Sequence, residues 1–259
     1  APSMGIYPGE YPDCAGADIV VICAGVAQKP GESRLDLLQR NTAVFRSIIG
    51  PVTESGFNGI FLVATNPVDI MTRITCTLSG FNPRRVLGSG TALDTARLRY
   101  LLGDYFSVDP RNMHAYVVGE HGDSEFVPWS QAMMATKPIL TLCEETGSCR
   151  YGDLENIASE VRGAAQKIIK AKRATYYGIG MALVRITKAV FGNENSVLTV
   201  SAMLRGEYGE NGVYVGVPCI VNRQGIRKVL TLSLTDEEAQ RFHASCQTLQ
   251  DSYAELKLE

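Results

Sequence analysis

The sequence predicts an α/β protein: a doubly wound parallel sheet, N-terminally truncated, followed by an α+β region built on an antiparallel meander. Three observations carry this expectation. Strand-like and helix-like segments alternate through the first third of the chain. The strands there are continuous apolar runs, as in sheets covered on both faces, rather than alternating ones. The last third holds three strand-like runs divided by short polar turns. The chain opens "APSMGIYPGEYPDCAGADIVV", loop-like and without Met at residue 1, so it is expected to be a fragment lacking an N-terminal segment.

Each element follows from its residues. "DIVVICA" at 18–24, closed by Gly25, is β-branched and apolar and reads as a buried parallel strand. A polar loop follows at 28–33, then a helical pattern over 35–52. Residues 59–65 form the next buried strand, stopped by Asn66-Pro67. Residues 68–78 read as a helix and 85–87 as a short strand. Past Gly88-Ser89-Gly90 the character changes, and the boundary is expected there, dividing 1–88 from 89–259. Helix 93–106 and strand 115–118 come next. The stretch 153–191 is too long for a plain globular helix and should break near 174–178. Strands at 196–203, 213–221 and 227–234 alternate with the turns "GEYGENG" and "NRQG", and an amphipathic helix at 237–256 closes the chain.

Bulk properties exclude several functions. A net charge of −2 gives no basic surface for nucleic acid or anionic lipid. No apolar run reaches the roughly 18 residues needed to span a bilayer, and no signal peptide is visible. The seven cysteines are odd in number and lack C-x-x-C spacing. They read as reduced cytosolic thiols, mostly packing residues (Cys23 within the first strand), with no metal site.

A few residues can carry chemistry. Ligands of doubly wound sheets sit beyond the carboxyl ends of the strands, so the loop 28–34, with Gln28 and Arg34, hangs over the expected site. It is either a lid bringing polar groups to a ligand or a solvated turn. Asp94 and Arg97 share a helix face, as a site pair or a surface ion pair. Arg99 points roughly 200° away from Arg97 around the helix. His121, in "GEHGD", is one of three histidines. It is an acid/base at the end of a strand if a carboxylate orients it, with Asp94, Glu120 and Asp123 as candidates, and otherwise a turn residue. Thr175, at the expected helix break, reaches a ligand or bonds back to its own backbone.

Taken in order, "ICAGVAQKPGESRLDLLQRN", "FLVATNPVDIMT", "GSGTALDTARLRYLLGDYFSV", "HAYVVGEHGDSEFVPWSQ" and "ATYYGIG" closely resemble the bacterial L-lactate dehydrogenases of the lactate/malate dehydrogenase family, over nearly the whole chain. The resemblance implies a Rossmann-like partial dinucleotide-binding domain at 1–88 and a substrate domain at 89–259. It implies NAD as cofactor, hydride transfer between NADH and pyruvate, and His121 as the group that protonates the ketone oxygen. Asp94 would fix the tautomer of His121, Arg97 would pair with the substrate carboxylate, and Arg34 would polarise the carbonyl. Gln28, Asn66 and Thr175 would meet the substrate. Tyr11, Gly25, Val26, Ser47, Ala64, Thr65, Asn66 and Ser89 match positions at or beside the cofactor. Arg99 and His114 match a pair that binds fructose 1,6-bisphosphate between subunits of allosteric relatives. A cytoplasmic, glycolytic, fermentative homotetramer is implied as well.

Two departures stand out. No G-x-G-x-x-G turn, nor the acid about 20 residues beyond it, occurs in these 259 residues, so the chain as written is expected to hold the cofactor's diphosphate weakly. Arg173 stands where the family usually has Gly before Ala174-Thr175. Two rivals remain: a malate dehydrogenase, which would carry Arg at position 28 rather than Gln28, and a non-catalytic truncated subunit that only oligomerises.

Overall fold

The structure, a computed structural model, describes residues 4–26, 31, 33–147 and 149–256, with the backbone alone for Arg34. Strands β1 (Ile19–Ile22), β2 (Ile60–Val63) and β3 (Val86–Gly88) pair in parallel in that order. Helices α1 (Arg34–Glu54) and α2 (Val68–Ser79) link them. α1 starts where it does because Ser33 and Asp36 form a reciprocal cap: the Ser33 hydroxyl accepts from the Asp36 N–H, and the Asp36 carboxylate accepts from the Ser33 N–H. α2 stops at Gly80, whose φ of 65° a β-carbon would disfavour.

The second half contains α3 (Ala92–Tyr105), β4 (Met113–His114), β5 (Met133–Met134), β6 (Lys137–Pro138), α4 (Ile139–Thr146), α5 (Tyr151–Lys172), α6 (Tyr177–Phe191), β7 (Ser196–Arg205), β8 (Asn211–Asn222), β9 (Gly225–Val229) and α7 (Asp236–Ala254). Strands β4, β5 and β6 make a small antiparallel sheet, and β7, β8 and β9 form the expected meander. That meander is not a separate layer. β7 pairs antiparallel with β3 through Gly88 and Ser201, giving one six-stranded mixed sheet, β1-β2-β3-β7-β8-β9. The junction depends on Gly88, where a β-carbon would lie 2.3 Å from the Thr72 hydroxyl and 2.8 Å from that of Ser201.

The main core packs Phe45 and Ile49 of α1 and Ile70, Met71 and Ile74 of α2 against the sheet, and Phe242, Cys246 and Leu249 of α7 join it. A second cluster, including Leu98, Leu102, Met113, Trp129 and Leu154, fills the space between α3, the small sheet and α5. Each such fully buried side chain contributes about 1.5–3 kcal/mol of apolar transfer energy.

Several expectations are corrected. β1 is not covered on both faces, since Val21 is 40% exposed; among the described residues its one strand partner is β2. Cys23 lies just past the strand and is exposed rather than packed. Residues 115–118 form no strand; Val118 makes a single bridge to Phe126. The Val117 peptide is satisfied by side chains of α3, whose neighbour Thr91 donates to its carbonyl (2.7 Å) while Thr95 accepts from its N–H (2.9 Å). The cysteines are not all free thiols, since Cys143 and Cys149 are joined in a disulfide; their α-carbons lie 4.6 Å apart, within bonding range. The long helical stretch does break, at 173–176. Arg173 caps α5 in the left-handed conformation, φ 68°. Among the described residues, no helix is long and apolar enough to cross a membrane.

Candidate active site

A cleft of about 470 Å³ opens beyond the carboxyl ends of β1, β2 and β3. Cys23, Ala64, Asn66 and Ser89 come from the strand ends, and Arg97 and His121 from the second half of the chain. Thr175 and the apolar Ile179 and Leu183 form another part of the wall. The strand ends are tied to each other: the Thr65 hydroxyl donates to the Ala24 carbonyl at 2.6 Å.

The loop bearing His121 is fixed from three sides. The Val118–Phe126 bridge closes its base. Gly119 adopts φ 98°, and a β-carbon there would sit 2.8 Å from the Ser245 hydroxyl on α7. That hydroxyl accepts the Glu120 N–H at 2.7 Å. On the far side, Asp69 of α2 accepts the His121 N–H at 2.8 Å and the Ser201 hydroxyl of β7 at 2.5 Å. Burial pushes the Asp69 carboxyl up to about 6, against the pull of those two donors.

The His121 ring meets α3. Its Nδ1 lies 2.7 Å from Asp94 Oδ2, and Arg97 Nη1 donates to Asp94 Oδ1 at 3.2 Å. Asp94 is buried in the first turn of α3, where the helix dipole favours a negative charge. With Nδ1 engaged by a carboxylate, Nε2 is the nitrogen left for a ligand. Burial disfavours the imidazolium, but the hydrogen bond and charge of Asp94, helped by Asp69 and Glu125, outweigh it and raise His121 to about 9.

The sequence candidates divide accordingly. His121, Arg97, Asn66, Ala64, Ser89 and Thr175 line this one cleft, and Asp94 lies directly behind His121. Glu120 does not orient the ring; its carboxylate accepts the Ser124 hydroxyl. Gly25 and Val26 follow β1 beside the cleft, with the Val26 N–H held by Asn41 at 2.8 Å. Tyr11, in the 3-10 turn Tyr11–Gly16, and Ser47, on α1, are exposed and do not line it. Gln28 and the Arg34 side chain lie outside the described residues. Arg99 opens into a different cleft, of about 360 Å³, and donates to the Ala115 carbonyl at 3.0 Å. His114 is exposed on β4, one residue from that carbonyl.

Two participants escaped the sequence reading. Asp69 holds the His121 peptide, and Glu125, 5% exposed, places Oε2 3.9 Å from His121 Nδ1. An acid four residues past the histidine was visible in the sequence, but nothing there showed that it is buried beside the ring. For Asp69 the sequence offered only an acid at the start of a helix.

Comparison with known proteins agrees with this geometry. Residues 3–88 match the lactate/malate dehydrogenase NAD binding domain, and residues 91–258 match the lactate/malate dehydrogenase alpha/beta C-terminal domain. The chain is 57% identical to the L-lactate dehydrogenase of Geobacillus stearothermophilus over 251 residues, 97% of this chain and 79% of that protein. It is 57% identical to that of Bacillus caldolyticus over 96% of this chain and 78% of that one. Among solved structures it is similar to the minor L-lactate dehydrogenase from Enterococcus mundtii in the ligands-bound form, with a TM-score of 0.94 at 47% identity, covering 97% of this chain and 80% of that one. The lactate dehydrogenase MGS-M5 from a Medee basin deep-sea metagenome library gives 0.96 at 46% identity, covering 98% and 82%.

Proposed function

The chain belongs to the lactate/malate dehydrogenase family, and on that footing we propose that it interconverts pyruvate and L-lactate with NAD as the redox partner. The observation that carries this reading is the 2.7 Å contact of His121 Nδ1 with Asp94 at the mouth of a doubly wound sheet, with Arg97 on the same carboxylate.

The cleft fits the nicotinamide end of the cofactor. It lies at the strand ends, where this fold receives dinucleotides, and its wall pairs an imidazole and a guanidinium with the apolar Ile179 and Leu183. Gly25, Val26, Ala64, Thr65, Asn66 and Ser89 would hold that end, with Tyr11 and Ser47 farther out. When bound, NAD supplies or accepts the hydride.

The chain's own residues do the rest. Arg97 pairs with the substrate carboxylate through its planar fork, which orients the carbonyl toward His121. His121, protonated on Nε2, gives its proton to the oxygen as negative charge develops there, and takes it back in the oxidative direction. Asp94 keeps Nδ1–H pointing inward and balances the imidazolium charge. Arg34, the first residue of α1, polarises the carbonyl. Asn66 and Thr175 bound the substrate pocket. Gln28, neutral where a malate enzyme has Arg, suits the methyl end of pyruvate over a second carboxylate.

The wider reading includes a cytoplasmic, fermentative homotetramer regulated by fructose 1,6-bisphosphate through Arg99 and His114. In support, Arg99 and Arg97 open into separate clefts, so a phosphate ligand and the substrate need not compete. The deciding test of function is the rate of NADH oxidation with pyruvate and with oxaloacetate. The proposal expects a clear preference for pyruvate in kcat/KM; equal or reversed preference overturns it.

A further inference from the structure

The loop that carries His121 also carries an acid that the reaction scheme above leaves unused. Glu125 is four residues on, and its N–H donates to the Gly122 carbonyl at 3.2 Å, so the loop folds back on itself. Its carboxylate is buried and reaches to 3.9 Å from His121 Nδ1, on the side of the ring already held by Asp94. One ligand-type atom each of Asp94, His121 and Glu125 lies within 4.8 Å of the others. Two buried carboxylates so close to one ring are costly unless a cation lies between them.

We propose that Glu125 is a positioning residue for the reaction: a second carboxylate that, with Asp94, holds the His121 ring in the protonated form that receives pyruvate. This rests on the reading of His121 as the proton donor.

Several packed elements contribute charges to the balance. Asp94 and Arg97 come from α3, Asp69 from α2, Arg162 from α5, and Glu120 from the loop itself. Arg162 Nη2 donates to the Glu125 carbonyl at 3.1 Å, and its Nε is buried with no hydrogen-bond partner among the described residues. A fixed cation therefore stands beside Glu125 without neutralising it through a direct side-chain bond. When Glu125 is ionised, four carboxylates (Asp94, Glu125, Asp69 and Glu120) face two fixed cations, Arg97 and Arg162, and this excess of negative charge favours a proton on His121. Burial first, and then the charge of Asp94, raise the Glu125 carboxyl to about 8, so its proton and that of His121 are exchanged over the same pH range.

The chain's three histidines make this measurable without turnover. The ring of His121 is followed by NMR through a pH titration and assigned by its loss in His121→Asn. In Glu125→Gln, isosteric and uncharged, the His121 midpoint should fall by about one pH unit or more, while His114 and His243 stay unchanged and report intact folding. Glu125→Asp should restore part of the shift. In the unmodified protein, the Glu125 carboxyl carbon should titrate together with the His121 ring. An unmoved His121 midpoint in a folded Glu125→Gln, or a Glu125 carboxyl that titrates like an ordinary exposed glutamate, overturns the proposal. Should His121→Asn retain full pyruvate reduction, the reading of His121 as acid fails, whatever the NMR result for Glu125.

Discussion

Arg97 and Arg99, two residues apart on α3, serve opposite sides of the helix. Arg97 donates to Asp94 and lines the cleft with His121, whereas Arg99 donates to the Ala115 carbonyl and lies over the Tyr116 ring. Substitutions at the two should therefore have separable effects. Arg97→Lys keeps a charge but loses the two-point fork, so kcat/KM for pyruvate should drop roughly 10- to 100-fold with NADH affinity unchanged. A matching loss of NADH affinity would mean that the substitution damages the fold rather than substrate pairing.

Arg99→Gln should leave pyruvate turnover intact without effector and abolish any fall in apparent KM caused by fructose 1,6-bisphosphate. Assays at low pyruvate with millimolar bisphosphate decide this, and no response in the parent protein removes the effector from the scheme.

His121→Asn should cut pyruvate reduction by roughly 100-fold or more and spare NADH binding. Asp94→Asn should also slow turnover, by removing the charge that fixes the tautomer. In the parent protein, reduction needs the protonated ring and should persist until pH rises through about 9. Lactate oxidation needs the neutral ring and should rise through the same range.

Stability should carry the same signature. The folded His121 binds its proton more tightly than an unfolded histidine, about 9 against 6.5. Its contribution is therefore complete below the unfolded value and is lost as pH rises through the folded one. Chemical denaturation should show stability falling between about pH 6.5 and 9, by up to about 3 kcal/mol from this group. A His121→Asn variant with the same slope would refute that assignment.

Gln28→Arg should move preference from pyruvate toward oxaloacetate by more than tenfold in the ratio of kcat/KM values, about 1.4 kcal/mol. A smaller change would show that Gln28 is not the selector.

Arg173 ends α5 at φ 68°, where glycine is the residue without a steric penalty. Arg173→Gly should raise stability by about 1 kcal/mol, read as a higher denaturant midpoint. A lower midpoint would mean that the exposed arginine makes a contact outweighing its backbone strain.

The sequence by itself determined the elements whose signals are local. Apolar runs gave β2 and the meander, periodicity gave the body of α1, and the helix break fell where Arg173 turns left-handed. It also placed Asp94, Arg97 and Arg99 correctly around one helix, because helical geometry is set by spacing alone. Only the tertiary structure decided what depends on distant partners. Residues 115–118 are as apolar as a strand, yet Thr91, Thr95 and Arg99 take up their backbone groups in place of a neighbouring strand. Of the three acids that might have oriented His121, Asp94 was fixed by the packing of α3 against the loop. Glu120 was drawn instead to Ser124. Asp69 and Glu125 gained their places from burial beside one ring, and burial is a property of the assembled chain.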